Sequence, residues 1–284
     1  MTDTDAFEAQ RPRLTRLAYR MLGSVAEAED AVQDAWLRWT RAVEEVADPA
    51  AWLVRVTSRL CIDRLRAAKT QRDAYRGPWL PEPLIEELSV DPVERAEDVS
   101  VAFLLALERL SPLERAVFLL HDVFDEDYAE VAETLGKTEP AVRQLATRAR
   151  AHVKETRPRF TVSQEDAAKL ATAFMMAAAQ GDMAALSAML AEDAVMVTDG
   201  GGKRSAALRP LIGREDIVRL MEGLAWRGES TALSFRAVRI NGYPGLILER
   251  EDGPATVAFQ PGEDGKLAGI YMVRNPDKLG HLEA

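Results

Sequence analysis

The sequence is poor in several residue types, and each shortage excludes something. It holds one cysteine, Cys61, so an internal disulfide framework and any centre of clustered thiolates are excluded. With Leu60 and Ile62 on either side, that thiol is expected to be a buried helical packing group. The three histidines, His121, His152 and His281, are scattered, and only the last lies beyond residue 160. No paired metal-ligand spacing of the H-x-x-x-H kind is present, and no glycine-rich phosphate loop follows a strand pattern. No apolar run approaches the ~20 residues that a bilayer crossing needs. The opening MTDTDAFEAQ lacks the basic-then-apolar layout of a signal peptide. These absences lead to the expectation of a cytoplasmic protein with no membrane contact, no metal, no cofactor and no catalytic centre. No internal repeat and no low-complexity segment is found.

What is present is length and helix-forming composition. A chain of 284 residues is long enough for two or three compact units. Hydrophobic residues make up 47% and aromatics 6%, with abundant Ala, Leu, Glu and Arg, which points to a mostly helical protein. The formal net charge of -10 argues at first against a nucleic-acid partner. The average conceals two basic blocks. Residues 55–76 contain seven basic and two acidic side chains, and residues 137–159 again seven and two. Because the Debye length is about 8 Å at physiological salt, a phosphate at contact responds to the local block rather than to distant acids.

Periodicity places the elements. Residues 7–22 carry Phe7, Leu14, Leu17, Ala18 and Met21 at helical spacing, with Pro12 assigned near a helix start. Gly23 and Ser24 interrupt before a second helix marked by Val32, Ala35, Trp36, Trp39 and Val43. Asp48-Pro49 opens a third, running to about residue 69. Residues 76–93 hold Pro78, Pro81, Pro83 and Pro92 and read as a linker. Helical pattern resumes near residue 94, and Ser111 with Glu114 makes a capping box before PLERAVFLLHDV. Further helices are expected from Ser163 to Gly181 and from Asp182. Beyond them VMVTD, TALSFRAVRI, GLILERE, ATVAFQP and LAGIYMVR are strand-like runs between turn sequences, implying a curved sheet with packed helices.

The stretch YAEVAETLGKTEPAVRQLATRARAHV, residues 128–153, reads as two short helices hinged at a glycine. Ala132 permits close crossing, Gly136 supplies a positive φ, and Val142 and Leu145 face inward, which is the helix-turn-helix pattern. Thr138 is placed to cap the second helix, with Pro140 in its first turn. Thr138, Glu139, Arg143, Gln144, Thr147 and Arg148 are left outside, where they can reach base edges or phosphates in a major groove. An ordinary helical hairpin would share the apolar positions; the basic block favours DNA. In the third helix Arg55, Arg59, Arg66 and Lys69 fall within about 80° at about 100° per residue, although Ile62 lies in the same stripe.

Three helices with a basic third, a linker, then a helix-turn-helix: over residues 7–157 this resembles the extracytoplasmic-function sigma factors of the sigma-70 family. EDAVQDAWLRW is similar to their segment for the β′ clamp helices of RNA polymerase, AWLVRVTSRLCIDRLR to their minus 10 helix, and the hinge pair to their minus 35 reader. GPWLPEPL, DGGGK (199–203) and NPDKL (275–279) resemble the subgroup with a SnoaL-like C-terminal domain, thought to regulate in cis in place of an anti-sigma protein. The resemblance implies two all-α domains and an α+β SnoaL-like cone domain: sigma region 2 over 1–72, a Pro-rich linker over 73–93, sigma region 4 over 94–160 and the SnoaL-like domain over 161–284. It implies core RNA polymerase (β′ clamp helices and β subunit) and promoter DNA as partners. Asp30, Gln33 and Asp34 would meet polymerase, sharing a helix face. Arg55, Arg59, Asp63, Arg66 and Lys69 would read the minus 10 element, and Thr138, Glu139, Arg143, Gln144, Thr147, Arg148 and Arg150 the minus 35 element. Trp79, Leu80, Asp199, Gly200, Gly201, Gly202, Lys203, Asn275, Pro276, Asp277, Lys278 and Leu279 would be regulatory, Trp79 and Leu80 as apolar anchors for the C-terminal domain. Unlike housekeeping members, which carry several aromatics where strands are melted, the third helix has only Trp52, so few bases can be stacked and strict promoter choice is expected.

Two other functions fit parts of the pattern. SnoaL-like folds also occur in enzymes, and a pocket in such a fold has room for an unidentified small ligand. Asp199 before three glycines fits a ligand contact, though a turn with a capping carboxylate is the better reading. A metabolite-sensing helix-turn-helix repressor would keep the DNA contact without polymerase. Residues 25–41 discriminate, since a repressor has no use for their exposed polar face.

Overall fold

The computed structural model describes residues 3–42, 46–86, 100–154, 164–227, 232–262 and 264–282. Val43, Pro92, the helix onset near residue 94, the expected cap Ser163, the region 4 boundary at 160, the basic residues 157 and 159 and the His281 side chain lie outside what it describes. The chain divides into two compact units, Met1–Asp73 with Phe103–Arg157, and Ala74–Ala102 with Pro158–Ala284.

The first unit begins with α1 (Asp3–Leu22), α2 (Val25–Ala42) and α3 (Pro49–Asp73). Phe7, Leu14, Leu17, Ala18, Met21, Val32, Ala35, Trp39, Leu53 and Cys61 are buried between them, as the spacing predicts. Phe7 and Trp36 rings meet at 4.8 Å, Trp39 and Trp52 at 5.7 Å. Burial pushes the Cys61 thiol up to about 12, with a smaller opposing pull from Arg64. Pro12 is a correction: it lies inside α1, not near its start. The turn before it stays helical because fully buried Phe7 fixes it from the core, which outweighs the proline's lost hydrogen bond.

α4 (Val101–Glu108) leads to α5 (Pro112–Phe118), with the expected capping box at Ser111 and Glu114. A π-helical turn, Leu119–Val123, separates α5 from α6 (Tyr128–Leu135). A second capping box, unanticipated, opens α6: the Asp127 carboxylate accepts from the Glu130 amide at 2.9 Å, and Glu130 accepts from the Asp127 amide at 3.1 Å. Asp127→Ala should lower this unit's stability by about 1 kcal/mol, read as a shifted urea midpoint at unchanged slope. Gly136 ends α6 at φ 61, ψ 42, the left-handed conformation that opens the hinge to α7 (Glu139–Lys154).

Within this unit the three-helix bundle packs on the segment carrying the hinge pair. Arg115, 2% exposed, donates to the Met21 carbonyl at 2.6 Å and to Glu108 at 2.6 Å. Arg13 pairs with Glu126 at 2.9 Å. The Arg13 and Arg20 guanidinium groups lie 5.9 and 5.3 Å from the Phe124 ring centre.

The second unit is built on a seven-stranded sheet in the order β1-β4-β5-β6-β7-β2-β3. The strands are β1 (Ile85–Glu86), β2 (Leu190–Asp199), β3 (Leu211–Ile212), β4 (Ser234–Ile240), β5 (Tyr243–Glu249), β6 (Ala255–Pro261) and β7 (Leu267–Val273). β2 and β7 run parallel and the other pairs antiparallel. The helices are α8 (Gln164–Gln180), α9 (Met183–Met189), whose N-cap is Asp182, and α10 (Arg214–Trp226). Phe174 of α8, Leu186 of α9 and Ile217 of α10 share one apolar core with Leu246, Val257, Phe259 and Ile270 of the sheet. Two features were not expected. The Pro-rich linker contributes a strand, with Ile85 opposite Ile240 and Glu86 opposite Arg239. Residues 214–226 form a helix, although Ile217, Leu220, Met221 and Leu224 have the spacing of one.

Candidate nucleic-acid interface

α7 presents the arrangement expected of a recognition helix. Val142 and Leu145 are buried, while Thr138, Arg143, Gln144, Thr147, Arg148 and Arg150 are exposed and Glu139 is half-buried. Thr138 precedes the helix, and its carbonyl accepts from the Val142 amide at 3.1 Å. Pro140 falls second, where no intrahelical donor is lost. The outward cations are held by light internal contacts. Arg143 donates to Glu139 at 3.0 Å and lies 4.3 Å from the Tyr128 ring centre. Arg148 pairs with Glu114 at 3.1 Å and Arg150 with Asp122 at 2.7 Å. Burial pushes the Glu114 carboxyl up, but the Ser111 hydroxyl and amide, with Arg148, more than offset it, so the group stays below its ordinary range. In each pair the arginine is exposed, and buried Glu114 keeps its hydrogen bonds from the Ser111 amide and hydroxyl, so exchanging the arginines for phosphate contacts costs little.

The basic block on α3 is less uniform than its sequence suggests. Arg64 is turned toward α2, donating to Asp34 at 2.7 Å and to the Glu27 carbonyl at 3.1 Å. Arg72 is bound to Glu108 and to the Leu22 carbonyl. These two hold the bundle together and do not belong to an outer patch. Arg59, Asp63, Arg66 and Lys69 are exposed, with Asp63 and Arg66 paired at 3.4 Å. Arg55 is half-buried and bound to Glu133 of α6. A Cβ at Gly136 would lie 3.7 Å from the Arg59 guanidinium. The N-terminal half of the stripe therefore leans on the hinge pair, and Ile62 within it is buried. Trp52, paired with Trp39, is half-buried.

On α2, Asp30 and Gln33 are exposed and Asp34 is half-buried. Arg64 also lies 4.0 Å from Asp30, so it neutralises part of this acidic face.

In the second unit the structure gathers all three strings singled out in the sequence. Asp199 is fully buried. Its Oδ1 accepts from the Tyr75 hydroxyl at 2.6 Å and the Gly201 amide at 2.9 Å, and its Oδ2 from the Leu80 amide at 2.9 Å and Lys278 Nζ at 2.7 Å. Lys278 also donates to the Leu80 carbonyl and lies 4.1 Å from the Trp79 ring centre and 5.2 Å from that of Tyr75. Asn275 caps the short 3-10 turn Pro276–Lys278 and donates to the Tyr75 oxygen at 2.8 Å. Leu80 and Leu279 are buried, and Lys203 pairs with Asp277 at 2.6 Å. A Cβ on Gly201 would stand 2.3 Å from the Asn275 side chain, and one on Gly200 2.2 Å from the Arg204 carbonyl oxygen. Both loop positions must therefore be glycine. Asp199 thus forms the expected turn and also grips the linker.

Tyr75 was missed by sequence reasoning, since a lone tyrosine before a Pro-rich segment carries no pattern. Burial, then its hydrogen bond to Asp199, raises its phenol above the ordinary value. A raised folded value means that its stabilising contribution is complete below the unfolded tyrosine pKa of about 10 and is lost as pH rises through the folded value. Urea midpoints measured from pH 8 upward should fall in this window, and Tyr75→Phe should flatten that fall.

Comparison with known proteins covers both units. Residues 6–71 match the family Sigma-70 region 2 and residues 100–153 the family Sigma-70, region 4. The chain is 40% identical to the ECF RNA polymerase sigma factor SigJ of Mycobacterium tuberculosis, over 98% of this chain and 93% of that protein. It is 33% identical to a probable ECF RNA polymerase sigma factor, SigI, of the same species, over 98% and 95%. The crystal structure of M. tuberculosis SigJ superimposes with a TM-score of 0.79 at 38% identity, covering 98% of each chain. Among the described residues no helix is long and apolar enough to cross a membrane. With both sigma-70 regions matched in order and the likeness running through the sheet-bearing unit, this chain belongs to the extracytoplasmic-function family of RNA polymerase sigma factors.

Proposed function

We propose that this protein is a cytoplasmic promoter-recognition subunit that binds core RNA polymerase and is regulated in cis by its SnoaL-like C-terminal domain. The observation that carries this reading is α7, whose apolar face is buried while its cationic and amide side chains stand outward. In this reading residues 1–72 bind polymerase and the minus 10 element, 94–160 bind the minus 35 element, and 161–284 regulate. The linker, 73–93, is the control point. Arg143, Gln144, Thr147, Arg148 and Arg150, with Thr138 and Glu139 at the helix start, contact the minus 35 duplex from the major groove. Arg59, Asp63, Arg66 and Lys69 contact the minus 10 element, joined by Arg55 once it leaves Glu133. Arg55 cannot hold both Glu133 and DNA, so its entry into the interface exchanges that pair for a contact with the promoter.

Asp30, Gln33 and Asp34 form the polymerase-facing surface, and the exposure of Asp30 and Gln33 supports that role. The double variant Asp30→Ala, Gln33→Ala should co-elute with core polymerase at least tenfold more weakly while its thermal unfolding is unchanged, because neither side chain is buried. Failure of the unaltered chain to co-elute would favour a helix-turn-helix repressor. The docking of Tyr75–Leu80 against Asp199, Asn275 and Lys278 supports cis-regulation: the C-terminal domain holds the very segment that must be free to space the two readers along a promoter.

A further inference from the structure

Beside the linker dock, within the same unit, lies a cleft of about 390 Å³ walled by Arg76 and Gly77 of the linker and by residues 198, 200 and 202–208 of the glycine-rich loop and its continuation. Its volume falls in the range of small-molecule sites, about 300–1,000 Å³. None of the residues on its wall is acidic, and three, Arg76, Lys203 and Arg204, are basic. Lys203 is engaged by Asp277. Arg76 makes no ion pair among the described residues. Arg204 feels Asp252, but Arg274 and Arg250 act on that carboxylate more strongly. Charge of one sign is therefore left in excess.

Two glycines make room for the two arginine side chains, Gly202 beside the stem of Arg76 and Gly253 beside the guanidinium of Arg204. A Cβ on Gly202 would stand 3.3 Å from the Arg76 Cβ, and Gly202 has φ 71. A Cβ on Gly253, at φ 105, would stand 3.1 Å from an Arg204 guanidinium nitrogen. Planar arginine forks spaced around a glycine-rich turn suit the oxygens of a phosphate group. The wall also includes Ala206, Ala207 and Leu208, apolar surface suited to the uncharged part of an organic phosphate.

We propose that this cleft binds a small phosphorylated metabolite, with Arg76 from the linker and Arg204 from the C-terminal sheet side holding its phosphate. Because one ligand contacts both, occupancy stabilises the docked linker by mass action. That consequence rests on the reading of the dock as the regulatory state; the binding itself does not.

The test is calorimetric titration of the full-length protein with inorganic phosphate, pyrophosphate and ADP as separate probes, the three distinguishing a bare phosphate from a nucleotide. Saturable binding of at least one is expected. Arg76→Gln and Arg204→Gln should each weaken it at least tenfold, whereas Arg209→Gln, an exposed arginine outside the wall, should not. Bound probe should also slow proteolysis within residues 75–86. No saturable binding, equal loss in Arg209→Gln, or indifference to Arg76→Gln would each overturn the proposal. Those failures would leave polymerase co-elution, and so the sigma factor reading, untouched.

Discussion

Asp199→Ala is expected to destabilise the C-terminal unit by about 3–5 kcal/mol, the usual loss when one partner of a buried ion pair is removed. The carboxylate is fully buried and the Lys278 side chain only 12% exposed, so the ammonium would be left without its counter-charge. The same substitution strands the Tyr75 hydroxyl, the Leu80 amide and the Gly201 amide, all of which donate to Asp199. Residues 75–86 should become cleavable by protease, and the urea transition of the unit should move to lower concentration. Adding Lys278→Met should recover part of the loss, because an uncompensated charge is then no longer buried. A loss under about 1 kcal/mol would show that the pair behaves as an exposed one.

The second large effect is expected on DNA. Arg143→Ala with Arg148→Ala should weaken promoter binding by the holoenzyme about thirtyfold or more, since each base or phosphate contact contributes about 1–3 kcal/mol. If both arginines reach phosphates, the slope of log affinity against log salt should fall by about two. Folding should change by no more than about 1 kcal/mol, because the two arginines are 57% and 63% exposed and Glu114, whose side chain is 11% exposed, keeps its hydrogen bonds from Ser111. Fluorescence anisotropy with labelled duplex at several salt concentrations separates the two quantities. Unchanged affinity and slope would remove α7 from the interface.

The helix-turn-helix was legible because its constraints are local and steric. A small residue at the crossing, a left-handed glycine and two apolar positions at fixed spacing define a close helix pair, with Ala132, Gly136, Val142 and Leu145 in those places, and the basic block on its second helix set it apart from an ordinary hairpin. The core of α1 to α3 was legible for the same reason. The charge blocks were only half legible. Composition counts Arg64 and Arg72 in the basic block, whereas helical spacing leaves them outside the stripe of Arg55, Arg59, Arg66 and Lys69; that Asp34 and Glu108 draw them inward needs the partner helices in place. β1 could not be read at all: two residues beside prolines carry no alternation, and the pairing of Ile85 with Ile240 spans too much chain for any local pattern. α10 had a signal in its apolar spacing that the surrounding strand-like runs obscured. The strings DGGGK and NPDKL stood out through family resemblance, whereas their joint purpose around Asp199 and Tyr75 is visible only once the linker lies beside them.

The central claim is that two separate helices of one chain read two promoter elements in the service of polymerase. Run-off transcription by core enzyme supplemented with the full-length protein, on a template library randomised over both promoter elements, tests it most directly. The account predicts that productive templates share two short elements at fixed separation and that scrambling either one abolishes the transcript. Efficient initiation on templates with a scrambled downstream element, or no transcription beyond that of core enzyme alone, would contradict it.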